Sequence, residues 1–170
     1  MKLLVTGVSH KTAPVEVREC LAFPEPALPE ALHSLKSHAG VSEACILSTC
    51  NRVEITVTTE DPVDPQALVD EFLRESRMVA PDSIAPYLYR HEGQNAIHHL
   101  FRVASSLDSM VVGEPQILGQ LKNAYGVAKT EGVLCGWLEG LLERAFSVAK
   151  RVRSETGIGQ MAVSVSYAAV

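Results

Sequence analysis

The chain has 170 residues, 46% of them hydrophobic and 21% charged, with a formal net charge of −5. That length and apolar share suit one sizeable domain, or a domain with an appended helical piece, and exclude a low-complexity chain. The acidic balance excludes a protein that coats nucleic acid by charge alone, although a local basic patch is compatible with it.

The first residues carry no positively charged leader and no long apolar segment follows, so a cytosolic protein without a membrane anchor is expected. Its four cysteines are then expected to be reduced. Residues 2–8 read as a buried strand that runs into the polar loop Gly7-Val8-Ser9-His10-Lys11-Thr12-Ala13-Pro14. A short helix over 15–21 is broken by Phe23-Pro24-Glu25-Pro26. Over 27–37, Leu28, Ala31, Leu32 and Leu35 keep the spacing of one buried helical stripe, and Gly40 supplies the stop.

Two runs with strand character, 41–47 and 53–59, flank Ser48-Thr49-Cys50-Asn51-Arg52. A thiol at that turn is held yet exposed. Beside it stand a hydroxyl, an amide and a guanidinium that can donate hydrogen bonds or positive charge to an anion, which is the setting of a nucleophile. The competing reading is a cysteine that ends a core strand, a common fate for free cysteines.

Asp61-Pro62-Val63-Asp64-Pro65 is punctuation before an amphipathic helix through Ala67, Leu68, Phe72 and Leu73 that ends near Ala80-Pro81. Residues 87–91 form a short aromatic strand. The order strand, helix, strand, strand, helix, strand predicts an α+β fold over 1–92, a ferredoxin-like split βαβ sandwich with helices on one face of an antiparallel sheet. Beyond Gly93 the pattern is helical to 156. One stripe is Ile97, Leu100, Phe101, Ala104 and Leu107; a second is Ile117, Leu118, Leu121, Ala124 and Tyr125; a third is Leu138, Leu141, Leu142, Ala145, Phe146 and Ala149. Residues 163–170 carry no closing signal, which predicts a further segment after 157–170.

His98 and His99 lie off the first stripe, about 100° apart, so only one can face a given ligand. A solvated or supporting role is the plain expectation for both. Gln116 and Gln120 share a helix face that Asn123 continues, and Pro115 places Glu114 at the helix start. Such a row of amides recognises polar groups without fixing charge, although a solvated face has the same pattern. Cys45 and Cys50 point to opposite sides of an extended segment, and no zinc-ligand spacing is present. Cys20, Cys45 and Cys135 read as core or incidental residues, and Gly157-Ile158-Gly159 as a turn, since it lacks the strand and third glycine of a dinucleotide fingerprint. Arg144, Lys150, Arg151 and Arg153 can touch phosphates or form a solvated face.

Four of these stretches, 7–14, 48–52, His99-Leu100-Phe101-Arg102-Val103-Ala104-Ser105-Ser106-Leu107-Asp108-Ser109 and Gly113-Glu114-Pro115-Gln116-Ile117-Leu118-Gly119-Gln120, together resemble the glutamyl-tRNA reductases along essentially the whole chain. The resemblance implies a catalytic domain whose 93–156 helices complete the substrate pocket, followed from 157–170 by a connection to an NADPH-binding domain. It implies reduction of the glutamyl ester of tRNA to glutamate 1-semialdehyde, the first step of tetrapyrrole synthesis. It further implies Cys50 as the nucleophile forming a thioester, His99 as an activity-critical residue, and Thr49, Asn51, Arg52, Ser109, Glu114, Pro115, Gln116 and Gln120 as substrate-binding residues. Arg52 suits a carboxylate or the α-substituents of the glutamate, and Glu114 its ammonium; the plain alternative for Arg52 is a surface ion pair. NADPH, with no binding residues in this chain, a homodimer formed through a C-terminal domain, and glutamate-1-semialdehyde aminotransferase as a partner also follow from the resemblance, with no metal. Leu121 stands where a β-branched residue is usual, a change expected to affect packing only. Without the cofactor domain the chain is expected to act at most as a glutamyl-tRNA esterase. A redox-sensing thiol protein and a non-catalytic RNA-binding module are the rival classes; the first needs a resolving thiol near Cys50 and the second exposed stacking aromatics.

Overall fold

The structure, a computed structural model, describes residues 1–159; most of the expected 157–170 connection lies outside them. Four strands, β1 (Lys2–Ser9), β2 (Val41–Ser48), β3 (Arg52–Thr59) and β4 (Tyr89–Glu92), form one sheet in the order β2-β3-β1-β4. Every neighbouring pair is antiparallel. With β3 between β1 and β2, this is the split βαβ arrangement. Helices α1 (Val15–Leu21), α2 (Leu28–Ser37), α3 (Pro65–Arg77) and the single turn α4 (Pro81–Ile84) connect the strands, and α5 (Gly93–Ala104), α6 (Gln116–Thr130) and α7 (Trp137–Glu155) follow.

Local chemistry sets the boundaries. Asp64 caps α3 by accepting the Gln66 amide at 3.0 Å, and Pro65 opens the first turn, where its missing N–H costs nothing. Gly40, at φ +86°, makes the turn from α2 into β2, and a Cβ there would meet Val63 at 2.4 Å.

Period-two alternation divides the sheet into two faces. Leu4, Thr6 and Val8 of β1 share one face with Val53, Ile55 and Val57 of β3, and α1 to α3 cover it. Ser48 and Arg90 on this face reach Phe23 and Asp70. The opposite face carries Leu3, Val5, Gly7 and Ser9 with Arg52, Glu54, Thr56 and Thr58, and α5 and α6 fold back over it with α7 packed against them. Consequently β1 beyond Lys2 and all of β3 are buried.

Glu43 ties the two parts together. From β2 its carboxylate accepts the amides of Cys135 (3.2 Å), Gly136 (2.8 Å), Leu138 (2.8 Å) and Glu139 (3.3 Å), which lie at the start of α7. A carboxylate there satisfies amides that the helix itself cannot, and opposes the positive end of its dipole.

The six residues of the third stripe, Leu138, Leu141, Leu142, Ala145, Phe146 and Ala149, are the buried residues of α7, and Leu121 is buried on α6. The first stripe needs correction. The buried side of α5 is Ala96, His99, Leu100, Val103 and Ala104, while Ile97 and Phe101 are half-buried and Leu107 is exposed beyond the helix end. The helix is rotated because His99 finds a buried carboxylate partner. Between α5 and α6 the chain makes a loop, 105–115. Gly113 (φ +86°) approaches the turn at Gly157–Gly159 so closely that a Cβ would lie 2.4 Å from the Ile158 carbonyl oxygen, and Arg153 Nη2 donates to the Gly113 carbonyl at 2.6 Å.

Candidate active site

Cys50 sits in the turn between β2 and β3 and is exposed. Thr49 builds that turn: its Oγ1 accepts the amides of Asn51 (3.2 Å) and Arg52 (3.1 Å), and its own amide donates to the Arg52 carbonyl at 2.8 Å. The His10 amide donates to the Asn51 carbonyl at 2.9 Å, and Arg18 from α1 donates to the Cys50 carbonyl. The turn is therefore fixed from three sides, with the thiol left outside that network.

Around it lies a small cavity lined by Thr49, Cys50, Asn51, Arg52, Ser109, Glu114, Gln116 and Gln120, together with His10, Met110 and Ile117. Seven of the eight substrate-binding residues expected from sequence thus converge on Cys50; Pro115 flanks the wall without lining it. Asn123 is drawn elsewhere, donating to Glu25 at 3.2 Å. Two buried atoms in the wall, Ser109 Oγ and His10 Nδ1, have no hydrogen-bond partner among the described residues. Buried polar atoms are rarely left so, and both residues line the cavity that holds Cys50. Burial, and then the charges of Arg52 and Lys11, lower the His10 pKa below the usual imidazole value, so this side chain is neutral at pH 7.

Arg52 is not the surface ion pair that its sequence position also allowed. It is 2% exposed, with Nη1 2.5 Å from Glu54 Oε1 and Nη2 3.0 Å from Asp108 Oδ2 and 2.5 Å from the Asp108 carbonyl. The same Glu54 oxygen accepts the Tyr89 hydroxyl at 2.6 Å and lies 2.8 Å from His99 Nε2. Burial alone would raise the Glu54 pKa, but hydrogen bonding and charge from His99, the Arg52 charge and the Tyr89 hydroxyl outweigh it and hold the carboxyl at about 2. Gly7 makes this possible, because it pairs with Glu54 across the sheet and a Cβ would lie 2.9 Å from the Glu54 Cγ.

His99 is accordingly buried rather than solvated. It does not line the Cys50 cavity and reaches it only through Glu54 and Arg52. Sequence reasoning missed Glu54, Asp108 and Arg18. Arg52 and Glu54 are two apart on a strand and so share a face, the one signal that pointed to their pairing.

Cys45 lies within β2, 3% exposed, its thiol pushed up to about 12 by burial and then by Glu54. Among the described residues no three His, Cys, Asp or Glu side chains converge as metal ligands, and no helix is long and apolar enough to cross a membrane. Gly157–Gly159 form a short turn.

The chain is similar to known proteins along its length. The family profile described as glutamyl-tRNAGlu reductase, N-terminal domain, matches residues 6–156. The glutamyl-tRNA reductase of Solibacter usitatus is 76% identical over 170 residues, covering 100% of this chain and 40% of that protein. That of Geobacter metallireducens is 51% identical over 173 residues, covering 100% of this chain and 39% of the relative. A solved structure, glutamyl-tRNA reductase from Methanopyrus kandleri, superposes with a TM-score of 0.78 at 36% identity, over 98% of this chain and 38% of that one. The chain therefore spans well under half the length of these relatives, and it belongs to the glutamyl-tRNA reductase family as its N-terminal domain.

Proposed function

We propose that this chain carries the acyl-transfer half of glutamyl-tRNA reduction, the first step of tetrapyrrole synthesis. The observation that carries the reading is the exposed Cys50 in one cavity with His10 and Ser109, whose Nδ1 and Oγ are buried without a hydrogen-bond partner among the described residues. In this scheme the Cys50 sulfur attacks the glutamyl ester carbonyl, a carbon–sulfur bond forms, and the ribose oxygen leaves. His10, neutral and in the same cavity, takes the thiol proton and returns it to the departing ribose oxygen. Ser109 and the amides of Gln116 and Gln120 hold the substrate's polar groups, Glu114 receives its ammonium, and Asn51 and Pro115 shape the wall. Arg52 retains donors not used by Glu54 and Asp108 and offers them to the substrate carboxylate. His99 acts through Glu54 by holding Arg52 in place.

The resulting thioester accepts hydride more readily than the ester. Family membership supports NADPH as the donor, held outside the described residues, a cytoplasmic homodimer as the assembled protein, and glutamate-1-semialdehyde aminotransferase as a partner. The redox-sensor reading is disfavoured by Cys45, whose buried, high-pKa thiol is unsuited to resolving an oxidised Cys50.

The test is intact-protein mass after mixing the chain with glutamyl-tRNA and quenching at low pH. A glutamyl adduct on the wild type and none on Cys50→Ser is expected, with slow release of glutamate. No adduct and no release from folded protein would overturn the reading.

A further inference from the structure

Beside the Cys50 cavity lies a second, larger opening of about 560 Å³, lined by Lys11, Tyr89, His91, His98, His99 and Arg102, among others. That volume falls in the usual range of ligand pockets. The two share a wall, since Arg52 lines the first and its partner Asp108 the second, at 3.0 Å from each other. Asn95, His98, His99 and Arg102 recur at i, i+3, i+4 and i+7, so one side of α5 faces this cleft. Lys11 and Thr12 come from the β1–α1 loop, and Tyr89 and His91 from β4.

Its chemistry departs from that of the molecule. In a chain of net charge −5, the only carboxylate that lines the cleft among the described residues is Asp108, already bonded to Lys11 and Arg52. Arg102 is half-buried and has no carboxylate partner among the described residues. The floor is aromatic: His91 and His99 stack with centroids 4.5 Å apart, and Tyr89 lies 5.5 and 5.3 Å from them. Burial, then His99, keeps the His91 pKa below the usual imidazole value, so it presents a neutral ring. Arg102, a cation with no carboxylate partner among the described residues, thus lines the same cleft as these flat rings, and that combination matches one ligand chemistry, a phosphodiester with an unstacked base, as single-stranded RNA provides.

We infer that this cleft is an RNA subsite that holds a phosphate and a base of the strand leading to the ester-bearing nucleotide, while that nucleotide's acyl group enters the Cys50 cavity. The inference deepens the proposed function and rests on it for the identity of the RNA. Asp108 and Arg52 then separate strand from ester and set how far the terminal ribose reaches.

The test compares wild type, the double variant His98→Ala/Arg102→Ala, and Lys150→Ala, an exposed cation on α7. The probes are a fluorescent hairpin RNA with the single-stranded 3′ end of a tRNA, and two glutamyl donors, glutamyl-tRNA and the glutamyl ester of adenosine, which lacks the preceding phosphates. Thermal melts confirm folding. The double variant is expected to bind the hairpin about tenfold more weakly, with a salt slope lower by about 1, and to be acylated by glutamyl-adenosine at the wild-type rate. Lys150→Ala is expected to bind like wild type. Unchanged hairpin binding by the double variant, an equal loss in Lys150→Ala, or an equal loss of acylation from both donors would overturn the inference. If wild-type Cys50 accepts glutamate from neither donor while hairpin binding depends on the cleft, the cleft stands and the thioester chemistry falls.

Discussion

Glu54 Oε1 gathers three donors, so replacing this carboxylate disturbs Arg52, Tyr89 and His99 together. Glu54→Gln is expected to destabilise the fold by about 3 kcal/mol, read from urea midpoints, because it leaves the Arg52 charge buried against a neutral partner. Cys50 acylation should fall in parallel with that of His99→Asn, since both act on Arg52. Acid should act along the same path. Burial, then Arg52 and Lys11, depress His10; burial, then His99, depress His91; and partners outweighing burial depress Glu54 from 4.5 to about 2. Groups with lowered native pKa values stabilise fully above their unfolded values, so stability should start to fall below about pH 6.5 and fall further below about pH 4.5. The Glu54 share is about 3 kcal/mol, and Glu54→Gln should flatten the lower limb of a plot of melting temperature against pH. Gly7→Ala should cost several kcal/mol, on the order of 3, since its Cβ would lie 2.4 Å from the Val53 carbonyl oxygen. Cys50 and Arg52 were legible in the sequence as residue types in a turn. Their wiring was not, because a tertiary partner such as Asp108, 56 residues beyond Arg52, leaves no local periodicity.

Among the elements, α7 shows how a helix end can depend on a distant strand. Its N-terminal amides are served by Glu43 rather than by a neighbouring Ser, Thr, Asp or Asn, so Glu43→Ala should cost about 2 kcal/mol. Native-state hydrogen exchange should then speed up at Leu138 and Glu139 while β3 stays protected. The length and buried stripe of α7 were plain from its spacing, and its cap was hidden because no sequence rule links positions 43 and 136. On α5 the apolar pattern was read about one position out of phase. A histidine was counted as polar there, although a buried carboxylate makes the core the better place for it.

The whole molecule is a sheet covered on both faces. The split βαβ order was legible because period-two and period-3.6 runs alternate between clear breaks. Where α5 to α7 would go was not, since periodicity says that a helix buries a stripe and not against what. Thr56 and Thr58 of β3, which face those helices, read equally well as solvent-facing residues. The loop at 105–115 is held at Gly113 by the Ile158 approach and the Arg153 hydrogen bond, and the same loop lends Ser109, Met110 and Glu114 to the wall around Cys50. The clamp therefore couples that wall to the turn at Gly157–Gly159: Gly113→Ala, whose Cβ would meet the Ile158 carbonyl oxygen at 2.4 Å, should displace the loop that carries Ser109 and Glu114 and slow acylation of Cys50 without touching the thiol.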